Sequence, residues 1–131
     1  MKMLKNYRLM IALVCSFAAA FAHAKVERIA TTNDPAAATK SAEKVLKTTG
    51  LDKIMSEVKE PKAEWVKANN GLKEVVLDSD GFDVKKMTGV IKVVAIATNG
   101  QKAVMAASDQ AKISKMKADA LSKTLKESGL L

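Results

Sequence analysis

The stretch "VIKVVAIATNGQKAVMAAS", residues 90–108, decides the fold. Its first half is crowded with the β-branched residues Val90, Ile91, Val93, Val94 and Ile96, and it runs into Asn99-Gly100, a strong signal for a tight hairpin. Its other reading is helical. Val84, Met87, Ile91 and Val94 fall on one stripe, and Gly100 can end a helix in the left-handed conformation. The second arm, "QKAVMAAS", is rich in alanine and ill suited to a sheet. It also continues from Gln101 to Ser128 without a proline or glycine. Taken together, these features favour two antiparallel helices meeting at Asn99-Gly100. The expectation is an all-α fold, a small bundle of four or five helices with a long C-terminal helix of some 25 residues. The alternative is an α+β fold with a hairpin around Asn99-Gly100.

Upstream, "NDPAAATKSAEKVLKTTG" carries a helix start and stop. Asp34 can cap free backbone N–H groups, Pro35 suits the first helical position, and Gly50 closes the segment. In "LDKIMSEVKE", Leu51, Ile54, Met55 and Val58 recur at i, i+3, i+4 and i+7, the spacing of a helix with one buried stripe. Pro61 interrupts it, and "PKAEWVKANNG" restarts a helix with Trp65 and Val66 turned inward. "LKEVVL", residues 72–77, reads equally as a helical turn or a short strand.

At the other end of the chain, residues 1–24 read as a secretory signal. Lys2, Lys5 and Arg8 precede an apolar run over 9–21, followed by Ala22-His23-Ala24. The run falls short of the roughly 20 apolar residues that a bilayer span needs. Cleavage after Ala24 would leave 25–33 as a flexible arm and 34–131 as a single helical domain without a transmembrane span. The alanine-rich leader suits bacterial export, with the periplasm favoured over extracellular release.

Such cleavage also limits the chemistry. Cys15 and His23, the only cysteine and histidine, would depart with the leader. Of the 22 basic residues three lie in the leader, so 19 face 14 acids in the remaining 107 residues. Zinc, copper(II), haem and iron–sulfur ligation then lack their usual imidazoles and thiolates. Ser-x-x-Lys at Ser41–Lys44, Ser56–Lys59 and Ser114–Lys117 matches a serine–lysine nucleophile pattern, but its companion motifs are missing. Met55, Met87, Met105 and Met116 are scattered as core fillers are. No enzyme is expected.

Two weak sites remain. "DSDGFD", Asp78–Asp83, offers Asp78, Asp80 and Asp83 as calcium ligands. In a calcium-binding loop with Gly81 at position 6, however, Met87 would occupy position 12, where a bidentate glutamate is needed. The turn reading, with an aspartate capping a helix from Val84, is favoured. Lys112, Lys115, Lys123 and Lys126 would share one flank of the last helix, a cationic stripe able to meet an anionic surface. Nucleic acid is disfavoured as a partner, because Arg28 is the only arginine after the leader and no aromatic platform accompanies the lysines. The expected function is an exported non-enzymatic protein that binds an envelope component or a partner protein, the alternative a low-affinity calcium module. No cofactor is expected, calcium apart.

Overall fold

A computed structural model describes residues 26–79 and 81–131. The expected signal segment, with Cys15 and His23, lies outside the described residues, as does Asp80.

The chain forms a four-stranded antiparallel sheet with helices, an α+β fold, and the all-α expectation is overturned. Strand β1 is Val26–Ala30, β2 is Leu72–Asp78, β3 is Lys92–Ala97 and β4 is Lys102–Ala107, in the spatial order β1-β2-β3-β4. The helices are α1 (Pro35–Thr49), α2 (Ala63–Ala68), α3 (Gln110–Lys115) and α4 (Ala118–Glu127). A 3₁₀ turn spans Leu51–Lys53.

The deciding stretch is a hairpin. Gly100 donates its N–H to the Ala97 carbonyl at 2.9 Å, and the Ala97 N–H donates to the Gln101 carbonyl at 2.8 Å. Gly100 sits at φ 90°, so this is a three-residue connection whose glycine takes the left-handed position. The alanine content of β4 misled because strand preference depends on position and on the cross-strand neighbours a residue meets. The β-branched run of β3 sits between two strands and sets the outcome.

Four further expectations change. The last helix does not run for 25 residues. Met116 and Lys117 are extended, with ψ of 148° and 132°, and separate α3 from α4. The helix expected from Val84 is a tight turn, closed by paired backbone bonds between Asp83 and Thr88. The segment expected as a flexible arm contributes β1, paired with β2. Leu51, Ile54, Met55 and Val58 are all buried, as their spacing suggested, but on a 3₁₀ turn followed by extended chain.

Helix α1 forms as its sequence suggests. The Asp34 carboxylate accepts the Ala36 N–H at 3.0 Å, Pro35 occupies the first turn, and Gly50 ends the helix at φ 79°. Its inward face, Ala38, Ala42 and Leu46, shares one buried core with Leu121 and Leu125 of α4 and the sheet residues Leu72, Val75, Leu77, Val93 and Ala95. The small alanines let the helix approach the sheet closely. Alternation sends Val76, Val94 and Val104 to the opposite face, where the register aligns Arg28, Val76, Val94 and Val104 in one row across the strands. On that face the Arg28 guanidinium donates to Glu74 at 2.8 Å.

Candidate functional site

The aspartate turn is a structural corner. The Asp83 carboxylate accepts backbone N–H groups from Lys85 at 2.9 Å and Lys86 at 3.3 Å, while its backbone pairs with Thr88. Asp78 ends β2 opposite Lys92 and Val26. The next residue, Ser79, is buried and donates to the Leu130 carbonyl, while Phe82 enters the core. Gly89 closes the corner at φ 109°, where a Cβ would stand 2.6 Å from the Phe82 Cα. Among the described residues, no three histidine, cysteine, aspartate or glutamate side chains gather in a way that could hold a metal ion.

The four lysines of the expected stripe are all exposed but do not lie on one continuous helix. Lys112 and Lys115 lie on α3, Lys123 and Lys126 on α4, and the extended Met116–Lys117 separates the two helix axes.

The structure instead builds a groove that sequence reasoning missed, along the outer edge of β4. The segment after the 3₁₀ turn runs antiparallel to β4 as a partial fifth strand. Ser56 donates to the Ala107 carbonyl at 3.2 Å and Lys59 to the Met105 carbonyl at 3.3 Å, with Met55 bridged to Ser108. Pro61, two residues beyond Lys59, has no N–H to donate, so the pairing cannot continue past that point. The chain peels away there into α2. This leaves a hollow of about 290 Å³ between Pro61 and Trp65 on one side and Ala103, Val104 and Met105 on the other.

Each wall is held in place. The Asn69 side chain donates to the Trp65 carbonyl at 2.8 Å and accepts from the Asn99 side chain at 2.6 Å. The Thr98 N–H reaches the Gly71 carbonyl at 2.9 Å. The end of α2 is thereby fastened to the hairpin tip, which sets Trp65 beside the strand. Trp65 packs partly on the core and stays half-buried. Val104, 58 % exposed, is the most open large apolar residue among those described. Exposed Lys59, Glu60 and Lys62 rim the hollow, and Lys102 shares a strand face with Val104.

Chemically, the groove offers an apolar anchor, strand backbone and a positive rim. Two other hollows combine these features less well. One along α1 is lined by Lys40, Glu43, Lys44, Lys47 and Thr48, without an apolar anchor. One between β1, α1 and α4 has Ile29 and Val45 but no aromatic residue. The legible signals for the groove were Pro61 and the lone Trp65. Their juxtaposition with β4 depended on the hairpin. Comparison with protein-family models, curated proteins and solved structures found no match to this chain.

Proposed function

We propose that this chain is an exported, non-enzymatic binding domain that acts by contact, with the open edge of β4 as its binding surface and a polypeptide partner in the envelope. The observation that carries the reading is the interrupted ladder at Pro61, which leaves strand edge beside the half-buried Trp65 and the exposed Val104. Tryptophan at a rigid concave site is a favoured anchor for protein contacts. An unpaired strand edge recognises extended chains through backbone hydrogen bonds. The basic, apolar and small-residue order of residues 1–24 supports export. Residues 26–131 carry no histidine or cysteine, which supports a role without the commonest general base or thiol nucleophile.

Panning a displayed random-peptide library against the immobilised chain tests the reading. Trp65 is the single tryptophan, so its emission reports the groove without a label. Enriched peptides are expected to shift that emission and to lose binding to Val104→Asp. Absence of enrichment, or peptides that bind Val104→Asp as well as the original chain, would overturn it.

A further inference from the structure

We infer that the occupant of the β4 groove is an extended, acidic segment of a partner polypeptide, carrying an apolar and an acidic side chain two residues apart; this rests on the binding reading above. The register supplies the argument. A strand added beside β4 would place one residue opposite Val104 and, two positions away on the same face, another opposite Lys102. Opposite Val104, an apolar side chain would continue the row formed by Val76, Val94 and Val104 across the sheet. Opposite Lys102, a carboxylate would face a lysine, and cross-strand pairs of opposite charge are favoured where like charges are not. Lys59 and Lys62 on the rim outnumber Glu60 and push the same way.

Charge complementarity also removes the nearest competitor, a second copy of this chain. Two β4 edges brought together would bring two basic rims, each with Lys59, Lys62 and Lys102, into proximity. Edge lysines and a proline commonly keep strands from pairing with themselves. Here they would reject a basic copy while admitting an acidic segment, so repulsion contributes to specificity.

The test uses the full chain and Trp65 emission. Its probe is a capped synthetic peptide, Ser-Thr-Val-Thr-Glu-Thr-Ser, with one control replacing Glu by Lys and another replacing Val by Ser. The parent peptide is expected to shift the emission and to weaken as salt rises. Either control should bind about tenfold more weakly, as should the parent peptide to Lys102→Glu. The Lys102→Glu chain should recover the Glu-to-Lys peptide, which no folding defect would produce. Three results would overturn the inference. If parent and Glu-to-Lys peptides bind alike and independently of salt, the groove takes peptides but not acidic ones, and the binding reading stands. If phosphatidylglycerol vesicles shift the emission and the parent peptide does not, the rim serves a lipid surface. If neither these peptides nor those from the displayed library shift it, the binding reading falls as well.

Discussion

The Lys59 amide donates to the Met105 carbonyl at 3.3 Å, and this is the last backbone bond joining the 55–59 segment to the edge of β4. Two residues on, Pro61 offers no amide that could add a further bond. Pro61→Thr restores that donor. The ladder is then expected to extend, giving residue 61 measurable amide protection in hydrogen exchange and weakening groove-binding peptides. Unchanged peptide binding together with a protected residue 61 would show that the edge opposite Pro61 is not where peptides dock.

Two glycines should respond differently to alanine. Gly100 has φ 90°, and a Cβ added there would meet nothing within 4 Å, so only the backbone conformation opposes a side chain. Gly100→Ala should cost about 1 kcal/mol in urea unfolding. At Gly89 a Cβ would also collide with the Phe82 backbone, and Gly89→Ala should cost about 3 kcal/mol or more. Equal costs would contradict the tight corner.

The buried Ser79 hydroxyl ties the end of β2 to the Leu130 carbonyl, 51 residues away, at 3.1 Å. Ser79→Ala should cost about 1–2 kcal/mol, because it leaves a buried carbonyl without this donor. Leu130 is fully buried, so Leu130→Ala should cost about 2–5 kcal/mol. Chemical denaturation of both variants measures this. A cost below about 0.5 kcal/mol for Leu130→Ala, that of an ordinary surface change, would place the C-terminus outside the core.

At the aspartate corner, Asp83→Ala should destabilise the chain by about 1 kcal/mol through lost capping of the Lys85 and Lys86 amides. The same loss is expected with and without millimolar calcium, read as the melting temperature. A calcium-induced rise abolished by Asp83→Ala would instead make the corner a calcium loop.

Helix α1 was legible because Asp34, Pro35 and Gly50 act locally, each through its own backbone. The hairpin was visible as an alternative in Asn99-Gly100, but it lost to the alanines of "QKAVMAAS", whose tolerance in an edge strand depends on the neighbour they pair with. The segment Leu51–Val58 shows a further limit. Spacing identified its four buried residues while misjudging the backbone that buries them. No local feature marked the break at Met116-Lys117, both of which are tolerated within helices. The groove was hidden for a related reason. Trp65, Pro61 and Val104 come together only when α2 is fastened to the hairpin tip through Asn69 and Asn99.

Docking of a partner strand beside β4 is read out residue by residue in amide chemical shifts. The isotopically labelled chain would be titrated with the Ser-Thr-Val-Thr-Glu-Thr-Ser peptide. Changes concentrated at Lys102–Met105, at residues 59–62 and at the Trp65 indole N–H are expected. Changes confined to the exposed lysines of α1, Lys40, Lys44 and Lys47, or no changes, would contradict docking beside β4.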